Sequence, residues 1–192
     1  MRRPTKGEHR KATLGLLAGF VLHFVSAPAP AQTFTRKEVL LLNSYRPGFA
    51  WTDEVVRGVR SALANEPYEV EFWVEYIDAA RYSGPEYLDE LQRLYRHKYG
   101  RKKIDLIVSS DDEALDFLLS PRAELFANTP VVFCGVNNPK LASQAPRHRF
   151  TGVLEVFDNR EILDLALKLH PGTHEIYVVS GSIPTAVSVR EA

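Results

Sequence analysis

After Gln32 the chain alternates short β-branched runs with longer amphipathic stretches, and turn residues separate each pair. VLLLNSY, beginning at Val39, opens as a continuous apolar run, the pattern of a strand buried on both faces as in a parallel sheet. Residues 52–65 predict a helix with one buried face. Thr52 stands at its N-cap, Asp53 and Glu54 in its first turn, and Val55, Val56, Val59, Ala62 and Leu63 recur at helical spacing. Residues 69–77 predict a second strand. A second helix over 85–99 starts at a proline and places Tyr87, Leu88, Leu91, Leu94 and Tyr95 on one face. The same reading gives strands over 104–109, 130–135, 150–156 and 175–180. It gives helices over 112–119 and 159–169, the latter closed by His170 and Pro171. Strand, helix and strand repeating about every thirty residues is the βαβ signature, so the expected fold is α/β with a doubly wound, open parallel sheet.

The composition, 45% hydrophobic and 25% charged, is too apolar for a disordered chain. Basic and acidic residues balance at 24 each, but Arg2, Arg3, Lys6, Arg10 and Lys11 face only Glu8 within residues 1–31. The remainder is therefore at −4, which argues against nucleic acid as a partner. A single cysteine, Cys134, excludes an intramolecular disulfide and a cysteine-based zinc site.

The basic head leads into the apolar run LGLLAGFVLHFVSA and the small-residue exit APAPAQ, the layout of an export signal cut between Ala31 and Gln32. That run has 14 residues, whereas a bilayer core takes about 20, so a cleaved signal is preferred to an uncleaved anchor. Either way the folded part is expected outside the cytosol, in the periplasm. The expected organisation is a signal over 1–31, an N-terminal α/β lobe over 37–156, and the start of an incomplete second lobe over 157–192.

Ligands of open α/β sheets bind outside the carboxyl ends of the strands, so the loops there carry the candidate chemistry. The first holds Tyr45 and Trp51 around Pro47 and Gly48, two rings that either meet a flat ligand or pack on the following helix. Asp111 and Asp112 sit where the third strand meets its helix. Capping accounts for Asp112, which leaves Asp111 to receive an ammonium or amide donor. Asn137 and Asn138 follow Gly135 and offer donors and acceptors, although Pro139 also marks an ordinary turn. Glu155 and Asp158 lie at the crossing between lobes. The candidate ligand-binding set is Tyr45, Trp51, Asp111, Asn137, Asn138 and Glu155.

Catalytic motifs are missing from these loops. There is no GxSxG elbow, no GxxxxGK[ST] phosphate loop and no GxGxxG opening the first helix. His97, His148, His170 and His174 fall on surface segments, Pro171 and Gly172 break the spacing of the last two as metal ligands, and Cys134 reads as a small core residue. No cofactor or metal is expected. The basic group around Arg96, Lys98, Arg101, Lys102 and Lys103 reads as a solvated helix end.

The blocks LLLNSYRPGFAWTDEVVRGVRSAL, VEYIDAARY, HKYGRKKIDLIVSSDDEALDFLL and PVVFCGVN, in this order, resemble the extracytoplasmic sensor domains that precede bacterial histidine kinases and diguanylate cyclases. Those domains are similar to ABC-transporter substrate-binding proteins of the type I periplasmic-binding fold. The resemblance implies two hinged α/β lobes, a small ligand in the cleft and closure as the output, with a signalling domain or a membrane permease as partner. On that resemblance the chain is expected to hold the first lobe and the beginning of the second. The expected function is an exported small-molecule sensor module that breaks no bond. The alternatives are a free-standing transporter component and, from another class, a hydrolase or lyase using Asp111 as general base.

Overall fold

The computed structural model describes residues 36–155, 158–181 and 186–187. Residues 1–31, on which the expected export signal falls, lie outside them, as do Val156 and residues 182–185 and 188–192. Five strands form one sheet in which every pairing is parallel. They are β1 (Arg36–Asn43), β2 (Glu69–Tyr76), β3 (Leu106–Ser110), β4 (Val131–Val136) and β5 (Phe150–Leu154), in the order β2-β1-β3-β4-β5. The connecting helices are α1 (Ala50–Leu63), α2 (Pro85–Tyr99), α3 (Asp111–Leu119), a 3₁₀ turn at Pro121–Phe126, α4 (Pro139–Ser143) and α5 (Asn159–Leu169). Sequence periodicity gives neither the 3₁₀ turn nor α4, because both are too short to repeat an apolar position.

β1 is central because its apolar run feeds two cores at once. Leu40 and Leu42 face Leu91, Tyr95 and Tyr99 of α2 and Leu115 and Phe117 of α3, all buried. Val39 and Leu41 face the other way and join Val108, with Val55, Val56, Val59 and Leu63 of α1 packed against them. Helices therefore cover both faces, as a parallel sheet requires. The burial of each leucine in β1 contributes about 1.5–3 kcal/mol.

Three expectations are corrected. Helix α1 begins at Ala50 with Phe49 as its N-cap, so Thr52 lies inside the first turn; Asp53 closes that end by accepting the Gly48 amide at 3.0 Å. Leu94, placed with the core stripe of α2, is 46% exposed. Residues 175–180 form no strand: among the described residues no neighbouring segment pairs with them to supply the ladder that holds β-branched residues in a sheet. Ile176, Tyr177, Val178 and Val179 stay exposed, and α5 buries none of its residues. Among the described residues no helix is long and apolar enough to cross a membrane.

The core assignment has a direct check. Leu42→Ala is expected to lose about 2–5 kcal/mol in urea unfolding, and Leu94→Ala less than about 1 kcal/mol. Equal losses would contradict the packing described.

Candidate functional site

The order β2-β1-β3-β4-β5 reverses direction between β1 and β3, and the crevice outside the carboxyl ends of the strands at such a point is where ligands of open α/β sheets bind. In this chain that end is fastened by a buried polar layer. Asn43, Ser44 and Ser110 are all inaccessible to solvent. The Ser110 hydroxyl donates to Asn43 Oδ1 at 3.2 Å, and Asn43 Nδ2 donates to the Glu75 carbonyl at 3.2 Å. Ser44 Oγ donates to the Ser110 carbonyl at 2.7 Å and accepts the Ala114 amide at 2.8 Å. A serine leaving β1 thus satisfies an orphan donor in the first turn of α3, and the ends of β1 and β3 are held in register.

On this base stands Asp111, the first residue of α3. Its φ is +69°, the left-handed region that Asp tolerates better than most residues but that still costs about 1–3 kcal/mol. Its side chain is 4% exposed. Asp111 Oδ2 accepts the Trp51 indole N–H at 3.2 Å, so the first turn of α1 reaches across to the end of β3. Gly135 at the end of β4 makes room for the pair. A Cβ there would lie 2.9 Å from the Trp51 ring and 3.1 Å from Asp111 Oδ1, and its φ of +66° suits glycine. Trp51 itself is 40% exposed, with Phe49 beside the same loop at 44%.

Burial drives the electrostatics. The Asp111 carboxyl is pushed from its ordinary value near 3.8 up to about 7, chiefly by desolvation; hydrogen bonds from Ser110 and Trp51 oppose the rise, and the charges of Glu113 and Asp112 add to it. Asp112 and Glu113 are raised for the same leading reason. The Cys134 thiol is pushed up to about 11 by burial and then by Asp111 and Glu155, which leaves it a neutral side chain rather than a nucleophile at neutral pH.

The other candidates divide by role. Tyr45 is buried, stacks on Phe49 with ring centroids 5.5 Å apart and points its hydroxyl at Glu113 Oε1, 3.5 Å away, so packing is the larger part of its work. Asn137 donates through Nδ2 to the Glu155 carbonyl at 3.2 Å and to Glu155 Oε2 at 3.3 Å, tying the end of β4 to the residue after β5. Asn138 is the N-cap of α4 and accepts the Lys140 and Leu141 amides. Asp158 caps α5 by accepting the Glu161 amide at 2.9 Å. Asp112 caps nothing. α3 starts one residue earlier than expected, and Asp112 Oδ1 accepts the amides of Asn137 and Asn138 at 3.0 and 3.1 Å, holding the loop after β4.

The six residues therefore lie at one end of the sheet, where Trp51 bonds to Asp111, Asn137 bonds to Glu155, and Tyr45 and Asn138 are occupied in packing and capping. Sequence reasoning missed Phe49, Glu113 and the seat provided by Gly135. The glycine before two asparagines was the visible signal for the last of these. Among the described residues His97, His148, His170 and His174 are all exposed, and no group of carboxylate, histidine or cysteine side chains could hold a metal ion. No family model, curated protein or solved structure matches the chain.

The raised Asp111 sets a pH dependence. Its folded-state value lies above the unfolded one, so the native chain holds the extra proton between about pH 4 and 7, and the stability this brings is lost as pH rises through that window. Asp111→Asn keeps an acceptor for Trp51 without the charge. At pH 8 it is expected to be more stable than the parent by on the order of 2 kcal/mol, an advantage that disappears toward pH 4. Parallel stability profiles for the two proteins between pH 4 and 8 would contradict a desolvated carboxyl at this position.

Proposed function

We propose that this chain is a small-molecule-binding module whose ligand rests on the strand-end rim at Trp51, Asp111 and Glu155. The observation that carries this reading is the Trp51–Asp111 pair at the switch point of the sheet, a half-exposed ring joined to a nearly buried carboxyl in left-handed backbone. Strained backbone and a strongly perturbed carboxyl meeting in one place are a common mark of a functional locus. Function then follows from differential affinity. A lobe that offers one face of a clamp binds weakly by itself, and a second lobe closing over the ligand would add contacts that exist only in the closed state.

The resemblance of the blocks from Leu40 to Asn137 to extracytoplasmic sensor domains supports a finer version of this reading. In it the chain is exported, its fold is the first lobe of a type I periplasmic-binding arrangement, and closure is passed to a kinase or cyclase domain. A transporter component would use the same lobe with a permease as partner. A carboxyl near 7 also suits a general base, which keeps a hydrolase or lyase reading in view. Against covalent catalysis, Cys134 is held neutral and the described histidines are all exposed, so a reaction here would use Asp111 on water or on the substrate itself.

A thermal-shift screen of the full chain with amino acids, purines and other small metabolites tests the proposal. A true ligand at 100 times its Kd stabilises by about 2.7 kcal/mol, is recovered unchanged, and loses its effect with Trp51→Ala. Conversion of the compound would establish an enzyme instead, and a flat response to every compound would leave the module without a ligand.

A further inference from the structure

We propose that the rim takes a ligand carrying a cationic nitrogen on a flat apolar body, the nitrogen against Asp111 and Glu155 and the body across Trp51 and Phe49. This rests on the binding-module reading and adds the chemical class. The sign of the charge is the first ground. Asp111, Asp112, Glu113 and Glu155 all stand at this end of the sheet, and no lysine or arginine is among the groups that act on the first three. The basic residues of the strand-end loops have partners other than these carboxyls or face solvent. Arg46 donates to the neighbouring Pro47 carbonyl at 3.2 Å, Arg81 pairs with Asp78 at 3.5 Å, and Lys140 is exposed on α4. A carboxylate or phosphate ligand would meet like charge with no cation among the described residues placed to offset it.

The second ground is independent of charge. Trp51 presents a large ring to solvent while bonded to the carboxyl, and Phe49, two residues earlier and stacked on Tyr45, is exposed as well; such rings receive a flat body by stacking and a cation by its attraction to the ring face. The third is a set of unmet polar groups at this end. Asp112 is 6% exposed with Oδ2 unbonded, and Thr52, next to Trp51, is fully buried with its hydroxyl unpartnered. Buried polar groups ordinarily have a hydrogen-bond partner, and a ligand with N–H donors is one source of it.

Calorimetry of the full chain at pH 8 with phenethylamine, phenethyl alcohol and phenylacetate isolates the charge, since the three share a phenyl body. The amine is expected to bind at least tenfold tighter than the alcohol, and phenylacetate not at all. Asp111→Asn should weaken the amine at least tenfold and leave the alcohol unchanged, and Glu155→Gln should weaken it several-fold. Between pH 8 and 6 amine affinity should fall as Asp111, faced by Asp112, Glu113 and Cys134, takes up its proton. Phenylacetate binding as well as the amine would overturn the inference while leaving the binding reading intact. So would a metabolite, found in the screen above, that binds at Trp51 and carries no cationic nitrogen. A screen ligand with such a nitrogen would support it, and failure of every compound in both experiments would remove the underlying reading along with it.

Discussion

Everything at the strand-end rim depends on one desolvated carboxyl. Asp111 has lost most of its water, has no cation to compensate, and is kept from relaxing by a left-handed backbone and by the indole N–H of Trp51. An ionised group in that position is unfavourable unless something positive approaches it, which is the physical basis of the proposed preference for a cationic ligand. The strain is tolerated because the surroundings over-determine it. Ser44 and Ser110 fix the turn from β3 into α3, and Asp112 ties the next loop through two backbone amides.

The fold supplies the precision. Parallel strands bring all their carboxyl ends to one side, and the order β2-β1-β3-β4-β5 places the turn after β1 beside the turn after β3. Residues 60 positions apart, Trp51 and Asp111, therefore meet without a long loop. Their seat is cut by Gly135 on the next strand, so three separate βα turns build one locus. Precision of this kind comes from strands with cores on both sides, as β1 has through Leu40 and Leu42 on one face and Val39 and Leu41 on the other.

Much of the fold was legible because its signals are periodic. The continuous run at Val39 announced a doubly buried strand, and α2 and α5 begin and end where Pro85 and His170 imply. Thr52 misled because a threonine before an apolar stripe looks like a cap, whereas here the Phe49–Ala50 step already starts the helix and Asp53 reaches back to Gly48. Residues 175–180 misled for another reason: β-branched residues state a preference, and only a neighbouring strand turns that preference into structure. At the site, sequence order was enough to place Asp111 and Trp51 at the rim. It could not show that they bond to each other, or that Asn137 and Asp112 are occupied in holding loops, since those contacts join residues 18 to 60 positions apart.

The central claim is that Asp111 is a nearly buried carboxyl bonded to the Trp51 indole, and the indole proton itself reports on it. In a ¹⁵N-labelled full chain the Trp51 Nε1–H resonance, assigned by its loss in Trp51→Phe, should shift between pH 5 and 9 with a midpoint near 7, while that of Trp73 does not follow the same curve. A Trp51 resonance that does not move in this range, or one that titrates near pH 4, would show an ordinary solvated aspartate and contradict the account.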